Sequence, residues 1–354
     1  MGISRPVAGL ATTTQDHGFH PLRVTRVIRE TSEASSFVLE APEELRTAFA
    51  YEAGQFCTFR VPVEGQPLLR CYSMSSSPAV DLEFQVTVKR TPGGVVSNWM
   101  NDHLKAGDTI EVTRPAGVFC LTPSEGDVVA FSAGSGITPV HSLMKSALAD
   151  TSRMVRLFYA NRDADAVIFG SEIDALQGQH RQRLTVSHHL DVDGGFVQPD
   201  TIRAFARGSG NSEFYICGPG PFMDIVEHTL QAEGVDDARI HIERFTPAER
   251  LEEPESSASS ATGTRVTIDL FGKSDSAEHR AGTTILQTAR QMGMSPPFSC
   301  EAGSCATCMA RLTAGTADMH VNNALTDDEV ADGWVLTCQA VPTSPSVHVV
   351  YEEG

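Results

Sequence analysis

No apolar run in the 354-residue chain approaches the ~20 residues that a membrane span needs. The opening residues, Met1 to Val7, also lack the cationic stretch and long apolar core of a secretory signal. A cytoplasmic protein without a membrane span is therefore expected. Positive charge is scarce as well. Against 45 Asp and Glu there are 27 Lys and Arg, a formal charge of -18, which makes nucleic acid and anionic membranes poor partners and a basic patch on a protein a better one. Internal repeats are missing, and so is a disulfide framework. Four of the eight cysteines crowd between 300 and 338 in a long chain, a distribution that fits metal ligation better than scattered bridges.

What is present suggests an ordinary multi-domain protein, 41% apolar and 20% charged, long enough for two or three cores. Residues 1–20 are polar and read as a tail. From Leu22 to about 124, short alternating runs such as Leu22 to Ile28, Gly54 to Arg60 and Leu82 to Lys89 predict an antiparallel β-barrel. A single helix is expected in it from Val95 to Met100. Over 125–247 the pattern becomes strand, then helix, repeatedly, which predicts an α/β domain with a parallel sheet. Residues 248–262, rich in Glu, Ser and Pro, read as a flexible linker that could reach ~50 Å if extended. A third, α+β domain is expected over 263–354.

Two motifs in the barrel suit an anion and a flat ring. Arg70 can pair with a phosphate, and Gly93 and Gly94 open a helix N-terminus to its oxygens, with Ser97 as a further donor. Tyr72 offers a face for a flavin and Ser73 a hydroxyl near its reactive nitrogen. A strand-end arginine, a core tyrosine and a plain glycine turn are the alternative. In the second domain Gly134 and Gly136 join a strand to a helix, with Thr138 expected as N-cap and Pro139 as first helical residue. Such a turn can hold a pyrophosphate, or can be no more than a tight turn. Cys217 and Gly218 end a later strand, on the side where parallel sheets bind ligands, so Cys217 is read as facing a nicotinamide and otherwise as a buried thiol.

Cys300, Cys305 and Cys308 have the C-x4-C-x2-C spacing of a plant-type 2Fe-2S site, completed by Cys338. Small residues between them, Ala302, Gly303, Ser304, Ala306 and Thr307, let the backbone fold over a cluster. A four-cysteine zinc site is the rival. Cys57, Cys71 and Cys120 read as inert packing residues.

In order and wording these motifs resemble the ferredoxin-NADP reductase family fused to a C-terminal plant-type ferredoxin, over residues 22–354, a layout of electron-transfer components of bacterial oxygenases. The resemblance is carried by Arg70 to Ser73, Val86 to Arg90, Tyr159 to Arg162, Cys217 to Asp224 and Ala331 to Val335. Within the family the chain is similar to reductases serving 3-ketosteroid 9α-hydroxylation and, next, phenylacetyl-CoA epoxidation. The resemblance implies a β-grasp-like third domain. It also implies that Arg70, Tyr72, Ser73, Val88, Lys89, Gly94, Val95, Val96 and Ser97 hold FAD. Gly134, Gly136, Thr138, Cys217 and Gly218 would face NADH or NADPH, and Glu243 and Phe245 would lie at the flavin, with Phe245 as a core residue the alternative. Two departures stand out. Ala53 replaces a common proline, and Asp163 and Asp165 follow Arg162, which could otherwise bind a 2'-phosphate; the balance leans to NADH. The implied function is electron transfer from NAD(P)H through FAD and the cluster to a terminal oxygenase, of Rieske type and acting on a steroid ketone. An iron-sulfur redox-sensing module is the reading from another class.

Overall fold

A computed structural model describes residues 18–245 and 261–352. The expected tail up to residue 17 and the expected linker up to residue 260 lie outside the described residues. The chain divides into two compact units.

The first unit opens with β1 (Phe19–Thr31), β2 (Ala34–Glu40), β3 (Phe56–Val63), β4 (Gln66–Ser73), β5 (Phe84–Lys89), α1 (Val95–His103) and β6 (Thr109–Thr113). The strands form an antiparallel sheet in the order β4-β3-β6-β1-β2-β5. A bridge from Met74, just past β4, to Val86 of β5 joins the two edges and closes the barrel. Alternation explains the strands: Leu22 and Val24 are buried while Arg23 and Thr25 are exposed, as a sheet with one apolar face requires. Phe37, Phe59 and Met100 fill the interior, each contributing about 1.5–3 kcal/mol by burial.

The parallel sheet follows, with β7 (Val128–Ala133), α2 (Ile137–Asp150), β8 (Val155–Asn161), α3 (Gly170–Gln179), β9 (Leu184–Leu190), α4 (Asp191–Gly194), α5 (Pro199–Ala206), β10 (Glu213–Cys217), α6 (Gly220–Ala232) and β11 (Ile240–Glu243). Strand order is β11-β10-β7-β8-β9. Every residue of the central β7 is buried, because helices cover both faces. Barrel and sheet share a core in which Ala34, Ala53 and Phe119 pack with Ile137, Val140 and Leu143. Ser142 Oγ also donates to the Ser76 carbonyl at 2.5 Å, and Lys145 pairs with Asp81 at 2.5 Å.

One expectation fails here. Gly134–Gly136 form a 3-10 turn and Gly136 is itself the N-cap of α2, so Thr138 and Pro139 lie inside the first turn. The glycine turn coils early enough to start the helix sooner than the Thr-Pro pair suggests. Pro139 is tolerated because first-turn N–H groups have no intrahelical partner. Thr138 Oγ1 instead donates to the Ser135 carbonyl at 3.1 Å.

The second unit comprises β12 (Ala261–Leu270), β13 (Lys273–Arg280), α7 (Ile285–Gln291), β14 (Met309–Ala314), β15 (Ala317–Met319), α8 (Asp327–Ala331), β16 (Trp334–Leu336), β17 (Ala340–Pro342) and β18 (Ser346–Tyr351). The main sheet runs β13-β12-β18-β14-β16, with β12 and β18 parallel. A Thr284–Gln287 capping box starts α7, whose Ile285 and Ala289 pack on Val266, Ile268, Val347 and Val349. A mixed sheet with α7 packed on it, and the short α8 beside β16, is the β-grasp-like arrangement expected. Among the described residues no helix is long and apolar enough to cross a membrane.

Candidate redox site

The nucleotide crevice is built by close backbone approach. A Cβ on Gly136 would lie 2.1 Å from the Cys217 carbonyl oxygen, so only glycine lets the turn after β7 lie against the end of β10. Gly134 has φ +53 and its carbonyl accepts from Tyr159 Oη at 3.2 Å. Lys89 Nζ, reaching over from the barrel, stands 3.7 Å from where a Gly134 side chain would begin. At the carboxyl end of β7, the buried Ser132 hydroxyl has no partner. A polar atom buried without a partner is costly, and a ligand's polar atoms would satisfy it.

Ser73, at the end of β4, repeats this pattern, 2% exposed with an unpartnered hydroxyl. Tyr72 beside it is held edge-on by Phe59, ring centroids 5.5 Å apart, and burial pushes its phenol pKa upward. Gly93 has φ +69 and Gly94 is the N-cap of α1. A Cβ on Gly94 would meet Ser97 Oγ at 2.8 Å. Ser97 Oγ accepts from the Thr91 N–H at 3.1 Å, which leaves its proton to donate. Arg70 donates to the Leu69 carbonyl at 2.7 Å. Val88 and Val96 point into the barrel core, so a ligand meets them only through the main chain, whereas Val95 is exposed. The two orphaned hydroxyls, the glycine N-termini and the flat Tyr72 fit a flavin and a nicotinamide nucleotide.

Glu243 and Cys217 lie side by side in register on β11 and β10, and Cys217 also faces Ser132 on β7. Burial lifts the Glu243 carboxyl to about 7. The fully buried Cys217 thiol is pushed up by burial and then by Glu243, so it stays an S–H donor. Gly218, next in the chain, is packed so closely that a Cβ would meet Phe222 at 2.9 Å. Phe245 is 38% exposed, a surface ring and not a core one. Two further side chains lie near these groups. Cys120 is only half-buried, and its thiol is raised to about 12 by burial and then by Glu52, with Glu243 a smaller influence. Glu33, in the turn between β1 and β2, lies 3.6 Å from Arg162 and 3.9 Å from Lys89. Arg162 also pairs with Asp163 at 2.7 Å.

In the second unit the four sequence-predicted cysteines converge, and none is in a disulfide. The Cys300 and Cys305 thiols lie within hydrogen-bonding reach of each other, as do those of Cys308 and Cys338. Among the described residues no three His, Cys, Asp or Glu surround a single ion position. Four thiols alone suit either two irons or one zinc, and amides directed at the sulfurs favour the iron-sulfur cluster. The backbone supports the sulfurs: the N–H groups of Ala302 and Ser304 each donate to Cys300 Sγ at 3.4 Å, and that of Cys300 to Cys305 Sγ at 3.5 Å. Glu301, Gly303 and Ala306 take positive φ to aim these groups. The bond from Cys308 and the donors around it hold the Cys338 thiol below its ordinary range, while Cys308 is pushed up. The donor set fits a 2Fe-2S cluster.

A barrel with a flavin cradle, a parallel sheet with a nucleotide crevice and a β-grasp-like unit with four converging thiols together define an NAD(P)H-dependent flavin iron-sulfur oxidoreductase. Family models match an oxidoreductase FAD-binding domain over 21–120, an oxidoreductase NAD-binding domain over 131–228 and a 2Fe-2S iron-sulfur cluster binding domain over 268–343. The chain is 37% identical over 351 residues to the ferredoxin reductase component of 3-ketosteroid-9-alpha-monooxygenase from Rhodococcus rhodochrous, covering 97% of this chain and 100% of that one. It is 32% identical to a component of the 1,2-phenylacetyl-CoA epoxidase of Escherichia coli, covering 94% and 98%. Phthalate dioxygenase reductase, described as a modular structure for electron transfer from pyridine nucleotides to [2Fe-2S], superposes with TM-score 0.59 at 26% identity, covering 96% and 100%. The chain belongs to this family of oxygenase reductases, which carry electrons from NAD(P)H through FAD and a 2Fe-2S cluster to an oxygenase.

Proposed function

We propose that this reductase uses NADH and serves a Rieske-type terminal oxygenase acting on a 3-ketosteroid. The observation that supports the steroid partner is the 37% identity, over the whole of the relative, to a 3-ketosteroid-9-alpha-monooxygenase reductase component. NADH is supported by Arg162, whose guanidinium already has Asp163 at 2.7 Å and Glu33 at 3.6 Å. A 2'-phosphate, carrying up to two negative charges, would have to approach two carboxylates to reach it.

When bound, FAD takes up a hydride and gives out electrons singly, and the 2Fe-2S cluster carries one electron at a time. Each residue then has a distinct task. Arg70, Lys89 and the N–H groups that open α1, from Gly94, Val95, Val96 and Ser97, neutralise the flavin's phosphates, and Val88 contributes main-chain contact. Tyr72 covers the ring and Ser73 donates to it. Gly134, Gly136 and Thr138, at the start of α2, take the nucleotide's pyrophosphate. Cys217 and Gly218 border the nicotinamide. Glu243 keeps its proton up to about pH 7, and Phe245 shields the ring from water. Residues 21–124, 125–247 and 263–354 act as three domains, with 248–262 as the tether that lets the last one move between flavin and oxygenase.

Steady-state turnover with an artificial acceptor tests the nucleotide. NADH should exceed NADPH in kcat/KM by roughly tenfold; equal values would refute the NADH assignment. Reconstitution with purified Rieske oxygenases tests the partner, and steroid hydroxylation no faster than that of an aryl thioester would refute it.

A further inference from the structure

The peptide between Glu301 and Ala302 is held from both ends. Its N–H, on Ala302, donates to Cys300 Sγ at 3.4 Å, and its carbonyl, on Glu301, accepts from Gln339 Nε2 at 2.8 Å. Glu301 takes φ +50, a left-handed conformation that L-residues with side chains rarely adopt unless their surroundings impose it. Those surroundings are identifiable. The Glu301 carboxylate receives both arms of the Arg290 guanidinium, at 2.8 Å and 3.0 Å. The guanidinium lies over Phe298, its Cζ 3.9 Å from the ring centroid. Both partners are largely shielded, Arg290 being 27% and Glu301 18% exposed. A bidentate, partly desolvated pair of this kind fixes direction as well as charge. Three segments meet here: α7 through Arg290, the loop of the first three cysteines through Glu301, and the segment after the fourth through Gln339.

We propose that Arg290 and Gln339 are positioning residues that set the reduction potential of the cluster by locking the 301–302 peptide, so that its N–H stays on Cys300. Resting on the assignment of the four cysteines to a 2Fe-2S cluster, the inference extends it to residues outside the ligand set. An N–H directed at a ligand sulfur stabilises the extra negative charge of the reduced cluster. Releasing the peptide therefore lowers the potential.

Two variants of the full-length holoprotein test this without changing net charge. Gln339→Leu frees the carbonyl but also removes a hydrogen bond from Gln339 to Cys338. Arg290→Lys keeps the cation, loses the fork and leaves Cys338 untouched, so a midpoint unchanged in Arg290→Lys alone also overturns the proposal. Iron content, midpoint potential by titration and the paramagnetic signal of the reduced protein are read for each. The proposal expects full iron, a lower midpoint in both variants and an altered signal shape, with flavin reduction by nicotinamide nucleotide unchanged. Unchanged midpoints at full iron content would overturn it, as would loss of iron from both variants, since the clamp would then build the site and not tune it. If one variant alone loses iron, the midpoint of the other decides. Absence of any paramagnetic signal from the wild-type protein would instead refute the cluster assignment itself.

Discussion

The two units solve binding in opposite ways. The barrel and parallel sheet suit a flavin and a nicotinamide nucleotide, with glycines where side chains would collide and buried hydroxyls on Ser73 and Ser132 for the ligands to complete. The cysteine unit instead brings four thiols together, with amides directed at sulfur and the left-handed Glu301 clamped by Arg290. A ligand held by polar contacts needs polarity that it can complete; a cluster held by thiolates needs sulfurs and directed amides. Sites of the first kind should depend on space and those of the second on ligands and amide direction.

The sharpest break of that contrast is Cys305→Ser. It should abolish the paramagnetic signal of the reduced protein while leaving flavin bleaching by NADH intact, measured by rapid mixing and low-temperature spectroscopy; an unchanged signal would remove Cys305 from the ligand set. Next is Gly136→Ala. The added methyl would sit 2.1 Å from the Cys217 carbonyl oxygen, so flavin reduction should slow by roughly 100-fold or more with flavin and iron contents retained. Normal reduction would show that the loop yields easily.

A smaller effect concerns pH. The Glu243 carboxyl is raised from 4.5 to about 7 by burial, so between these values the folded protein holds a proton that the unfolded chain releases. Stability therefore falls as pH rises from about 4.5 to about 7, by at most about 3 kcal/mol. Glu243→Gln should flatten this decline, so that thermal melts of variant and wild type diverge with rising pH in favour of the variant; parallel curves would contradict the burial argument. The smallest is Glu33→Gln, which removes one of two carboxylates at Arg162 and should raise kcat/KM for NADPH by roughly two- to threefold, with NADH little changed. Equal gains with both nucleotides would assign Glu33 to general access.

Legibility in the sequence follows the same divide. The convergence of the four cysteines is readable because the spacing within one loop carries their geometry, and the strands because burial alternates along them. Gly136 is readable as a candidate, though its collision partner, Cys217, is not. Thr138 is misplaced by its sequence context because the Gly134–Gly136 turn is already helical, which no capping rule detects. Glu33 and Gln339 leave no local signal at all. Each is a polar residue that matters only because the fold brings Arg162 or the Glu301 carbonyl to it. The exposed Phe245, equally suited to a core by its sequence, shows that composition alone does not tell a surface aromatic from a packed one.

The central claim is the order of electron flow, and anaerobic rapid mixing with one equivalent of NADH tests it most directly. Flavin absorbance should bleach first and the paramagnetic signal of the reduced cluster should rise afterwards, at a rate no faster than the bleaching. A cluster signal that precedes flavin bleaching, or that never follows it, would contradict that order.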